Sequence, residues 1–212
     1  MEKRSGIKNA IQSLLKGHGI RKPRELRSYW TQKGRAWLGS IEWPTPTAQV
    51  QSEMLLEELD QANERVKRLT KQLDLLAKRD PRVMLLQTIP GVGRRTAEAI
   101  VAYIDDPHRF SKNKQVASYF GLTPSQDESA DVSRFGHITK QGPPTARKLL
   151  TEAAWQGICR DKTLRAYFER IAAGKKDRRK IALIATAHYL VRIMLSMLKT
   201  GEVWRGQTGQ AD

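Results

Sequence analysis

The chain has 212 residues, 39% of them hydrophobic, enough to fill the core of one medium domain or of a small domain with an extension. Its 38 Lys and Arg against 22 Asp and Glu leave a formal net charge of +16, so the expected partners are polyanions, nucleic acid ahead of membrane surface. A single cysteine, Cys159, excludes an intrachain disulfide and argues against a thiolate metal site. No apolar run is read as approaching the ~20 residues that span a bilayer, and residues 1–5 lack the apolar stretch of a secretion signal, so the expected location is cytoplasmic with no membrane partner.

Apolar residues at helical spacing from Ile7 to Leu15 predict an opening helix that stops at Gly17-His18-Gly19. It begins without a clear cap, and residues 1–45 read as the residual helix and connector of a preceding domain. From Ile20 to Thr47 a connector with Pro23, Gly34, Gly39, Pro44 and Pro46 carries Trp30, Trp37 and Trp43. These tryptophans either pin the connector to a core or stack on bases, an interaction of ~1–3 kcal/mol per base. Within residues 46–80, Leu55, Leu59, Ala62, Val66, Leu69, Leu73 and Leu76 recur in steps of four and three, the spacing of a coiled-coil seam. Self-association through this seam is the favoured expectation, and a helix hairpin with the opening segment is the alternative.

Residues 81–204 are expected to form one helical domain. Pro81 ends the long helix by disfavouring helical geometry in Asp80. Leu85-Leu86-Gln87-Thr88-Ile89-Pro90-Gly91-Val92-Gly93 then forms a turn leading into a helix from Arg94 and Arg95 to Ile104. Gly91 and Gly93 permit backbone geometry and close approach that a side chain would block. The free N–H groups at the start of the second helix make a phosphate seat beside Arg94 and Arg95. A helix-hairpin-helix gripping nucleic-acid backbone and a plain turn between packed helices both fit the pattern.

Val116 to Phe120 predict a short helix ending at Gly121, and Leu122–Gly142 an irregular polar loop with room for a small β-hairpin at Arg134–Ile138. Pro143-Pro144-Thr145 opens a helix through Arg147, Leu149, Leu150 and Ala153. Another helix spans Leu164–Ala172. The basic run Lys175, Lys176, Arg178, Arg179 and Lys180 reads as backbone contact or as solvated charge. It precedes a long helix whose buried face holds Ile181, Ile184, Ala185, His188, Val191, Leu195 and Leu198, with His188 as a satisfied core histidine. Cys159 reads as a small packing residue. Residues 205–212 read as a disordered tail. The fold class is mainly α: a long coiled-coil helix followed by a compact helical domain with a helix-hairpin-helix and an irregular loop or small β-hairpin.

Leu86 to Gly93, together with Tyr119-Phe120-Gly121-Leu122-Thr123-Pro124, Ser129 and Gly136-His137-Ile138-Thr139-Lys140-Gln141-Gly142, resemble the C-terminal transposase domain of the insertion-sequence-one-ten family. The opening helix and the heptads are similar to that family's middle region. The resemblance implies a serine that attacks DNA, at the position of Ser129, and a structured bridge RNA that pairs with donor and target DNA. It also implies a DEDD, RuvC-like N-terminal domain that binds divalent metal. That domain's four acids have no counterparts here, so no metal ligand is assigned to this chain and Mg²⁺ is expected only through the missing domain. Asp60, Asp74 and Asp80 read as solvated charges. By this reading the chain is a fragment, a decayed copy or half of a split system.

A serine hydroxyl needs a base or metal to attack, and a phosphodiester under attack needs positive charge around its oxygens. Arg134, His137, Lys140 and Arg147 are the candidates for that charge. The sequence departs from the family in Asp127-Glu128-Ser129-Ala130-Asp131, where small neutral residues commonly flank the nucleophile. Three functions fit: a serine-type transposase or recombinase, a non-catalytic module that binds DNA and guide RNA, and a structural coiled-coil adaptor.

Overall fold

The computed structural model describes residues 2–129 and 132–206; Ala130 and Asp131 of the serine loop and residues 207–212 of the expected tail lie outside the described residues. The fold is mainly helical. In order it runs α1 (Glu2–Gly17), α2 (Gln32–Gly39), α3 (Pro46–Arg79), α4 (Pro81–Leu86), α5 (Arg94–Ile104), a 3₁₀ turn (Pro107–Arg109) and α6 (Lys114–Tyr119). Then come β1 (Pro124–Ser129), β2 (Val132–Ile138), α7 (Pro144–Arg160), α8 (Lys162–Ala172) and α9 (Arg179–Thr200). Two compact units divide the chain between Leu75 and Leu76.

In the first unit, Ile7, Ile11 and Leu15 of α1, Leu38 of α2 and Leu56 and Leu59 of α3 form one buried cluster. Trp30, Trp37 and Trp43 pack against it half-buried, Tyr29 stacking on Trp37 with ring centroids 6.0 Å apart and His18 meeting Trp43 edge-on at 5.6 Å. The expected connector contains α2, which forms because the Thr31 hydroxyl caps it by accepting from Gly34 N–H at 3.1 Å. Arg35 of α2 pairs with Asp60 of α3 at 2.6 Å, so Asp60 is an ion-pair partner rather than a solvated charge.

The seam of α3 has two fates. Leu59 is buried with α1, the arrangement of a helix hairpin, whereas Leu69, Leu73 and Leu76 are exposed.

In the second unit α9 is the central element, with Ala182, Thr186, Ala187, Leu190, Val191, Met194 and Leu195 buried against neighbouring helices. Contrary to the sequence reading, α9 is long and apolar enough to cross a membrane, with a mean hydropathy of 1.8 over its most apolar stretch; its Ala187, Leu190, Val191, Met194, Leu195 and Met197 belong to this unit's core. Two side chains expected inside lie elsewhere: Ile181 is 62% exposed, and Cys159 is exposed on α7. The expected irregular loop is an antiparallel hairpin of β1 and β2, longer than Arg134–Ile138, with Asp127 opposite Arg134 and Ser129 opposite Val132.

Candidate nucleic-acid interface

The turn between α4 and α5 is held from three sides. Asp80 starts α4 by accepting from Arg82 N–H at 2.9 Å and pairs with the Arg82 guanidinium at 2.9 Å. That side-chain hydrogen bond holds the Asp80 carboxyl below its ordinary range, so Asp80, too, is not merely solvated. Arg82 Nη1 also donates to the Asp105 carbonyl at 3.2 Å, tying the start of α4 to the end of α5.

At the tip, Gly91 has φ +93°, and a Cβ there would overlap the backbone of Gln156 and Gly157 in α7. The close approach that Gly91 permits is therefore to the chain's own helix. From the third side Trp204 donates its main-chain N–H to Thr88 Oγ1 and its indole N–H to Asp161, each at 3.1 Å, while Asp161 caps α8. Nothing in the sequence reading singled out Trp204 or Asp161, because neither sits in a motif.

Gly93 is exposed, a Cβ added to it would meet nothing within 4 Å, and it caps α5 without a side-chain hydrogen bond. Arg94 and Arg95 follow at once, and Arg95 pairs with Glu98 at 2.5 Å. An uncapped helix start flanked by arginines has the polarity to attract phosphate.

A groove of about 860 Å³ lies between β2 and α9. Leu122, Pro124 and Ile138 line one side, Ile181, Ile184 and Ala185 the other. His137 and Lys140 contribute polar groups from the β2 side, Lys180 and His188 from α9. His137 and Lys140 were expected together; Lys180 joins them from the basic run, and His188 is a groove residue rather than a satisfied core histidine. The half-buried His188 imidazole makes no side-chain hydrogen bond among the described residues. Burial, and then the neighbouring Arg192, push its pKa down, which keeps the imidazole neutral at neutral pH.

Backbone crossings fix the loop that carries Lys140. Lys140 N–H donates to the Gly121 carbonyl at 3.2 Å and Thr139 N–H to that of Thr123 at 2.9 Å, with Lys140 itself at φ +55°. Gly121 passes so close to Gln141 that a Cβ would overlap its backbone. Arg147 clamps the same loop: its Nη1 donates to the carbonyls of Gly142 (2.8 Å), Gln141 (2.9 Å) and Phe120 (3.4 Å). Its charge thus serves loop architecture.

Lys175, Lys176 and Arg178 are exposed in the turn before α9, and Arg179 lies over the Phe168 ring, 5.2 Å from its centroid. Ser129 ends β1, and Arg134 sits in β2 opposite Asp127. Among the described residues no three His, Cys, Asp or Glu are grouped to hold a metal ion.

Residues 83–169 match the Transposase IS116/IS110/IS902 family. The chain is 29% identical to a "Probable family 20 transposase" of Pseudomonas aeruginosa, over 95% of this chain and 61% of that protein. It is 27% identical to the "Transposase for insertion sequence element IS1111A" of Coxiella burnetii, over 73% of this chain and 42% of that protein. It is also 28% identical to the "Pilin gene-inverting protein" of Moraxella lacunata, over 56% of this chain and 37% of that protein. The chain thus spans less than two thirds of the length of each of these relatives. The matched segment runs from α4 into α8 and includes Ser129; α9, with Lys180 and His188, lies beyond it.

Proposed function

We propose that this chain acts on DNA in transposition or site-specific recombination. Its 76–212 unit holds nucleic-acid backbone at the uncapped start of α5 and along the groove between β2 and α9. The observation that carries this reading is the groove, where Lys140 and Lys180 from separate elements flank one cleft. In a chain of net charge +16 such a cleft suits a polyanion.

In this reading Ser129 is the nucleophile, and Arg134, His137 and Lys140 lie on the strand and loop nearest to it in sequence. Mg²⁺ comes from a metal-binding domain outside the 212 residues. A structured bridge RNA is a second partner, and chains associate through the exposed stretch of α3 at Leu69, Leu73 and Leu76.

The test is incubation with donor-end DNA, bridge RNA and Mg²⁺, with and without the metal-binding domain added in trans, followed by a denaturing gel. A covalent protein–DNA adduct that Ser129→Ala abolishes, with binding retained, is expected. An adduct that survives the substitution removes Ser129 from the role.

A second reading, a non-catalytic binding module, is favoured by one feature: Asp127 and Glu128 directly precede Ser129 and would repel an approaching phosphate. Binding without an adduct under either condition selects it.

A further inference from the structure

We infer that the groove between β2 and α9 receives a single unstacked nucleobase, with the phosphates on either side of it held by Lys140 and Lys180. The inference rests on the reading of this unit as a nucleic-acid-binding one and names what enters its cleft. Phosphate alone is a poor occupant, because Leu122, Ile138, Ile181 and Ile184 line the space and a phosphate would lose water there without gaining a partner. A paired duplex is too broad for a cleft of about 860 Å³, whereas one nucleotide fits.

The distribution of polarity matches a nucleotide's own: an apolar interior for the face of the base, and a cation on each side for the backbone charges that flank it. Ile181, 62% exposed, offers water an apolar surface that a base would cover. His188 completes the fit. A neutral imidazole presents a flat ring with one donor and one acceptor, suited to a base edge.

The test uses the full chain and a duplex carrying one bulged 2-aminopurine, whose emission is quenched while it stays stacked. Anisotropy of a separate dye reports binding. The expected result is a several-fold rise in 2-aminopurine emission on binding, with reduced quenching by acrylamide. Ile181→Leu retains the rise, and Ile181→Glu loses it at saturating protein. Ile181 is exposed, so neither change should disturb folding, and circular dichroism checks this.

Binding without the rise, or a rise that Ile181→Glu leaves intact, overturns the inference while the nucleic-acid reading stands. No binding at all overturns both. A groove occupied instead by a second copy of the chain would show as a change in sedimentation with Ile181→Glu and no emission change, which also overturns it.

Discussion

At Gly91 two constraints coincide: a φ of +93° and a main chain of α7 packed against the missing side chain. Gly91→Ala must enter the left-handed region, at about 1–2 kcal/mol, and separate two backbones, at about 1–3 kcal/mol for overpacking. The 76–212 unit should therefore lose about 3 kcal/mol in urea unfolding followed by circular dichroism. Gly93→Ala, at a cap with open space around it, should lose less than about 1 kcal/mol. Equal losses would mean that the turn does not rest on α7. The pattern Pro90-Gly91-Val92-Gly93 already announces that a side chain is unwelcome, but it cannot name the neighbour that excludes it. The same gap explains Arg147 and His188. A cation after Pro143-Pro144 reads as phosphate-binding until the carbonyls of Gln141 and Gly142 are found around it. Helical spacing tells which side of α9 faces inward, but not where along that side the core stops and the groove begins.

Among the elements, α3 divides its work along its length. Leu59 is 2% exposed and packs with α1, whereas Leu73 is 46% exposed and Leu76 63%. Leu59→Ala should destabilise the first unit by about 3 kcal/mol and leave association unchanged. The double variant Leu73→Ala, Leu76→Ala should leave unfolding nearly unchanged but weaken self-association in sedimentation. If the double variant unfolds as easily as Leu59→Ala, the two stretches do not have separate roles. The heptad spacing shows the stripe and cannot show the partner, because a helix hairpin and a coiled coil bury the same positions. α2 and the β-hairpin were hidden for other reasons. α2 is eight residues long with glycines inside it, so its Thr31 cap carries more information than its periodicity. Pro124–Ser129 shows no apolar alternation, and a two-stranded ribbon need bury neither face, so the usual strand signal is missing.

On the scale of the whole molecule, composition discloses the polyanion preference but not the surface that exercises it. The charge is uneven: residues 46–64 contain Glu53, Glu57, Glu58, Asp60 and Glu64 and no Lys or Arg. The groove is assembled from β2 and α9, which lie far apart in the chain, so no local window of sequence could display it. This separates two explanations of binding. If net charge alone attracts nucleic acid, every exposed cation counts alike; if the α5 start and the groove are the contacts, only theirs release counterions. Arg94→Gln and Lys180→Gln should then each flatten the dependence of log K on log salt, measured on a duplex carrying one bulged base, by ~0.9. Arg68→Gln and Lys71→Gln, exposed on α3, remove the same charge and should shift affinity slightly while leaving the slope in place. A salt titration that gives all four variants the same slope would return the binding to net charge and remove both surfaces from the argument.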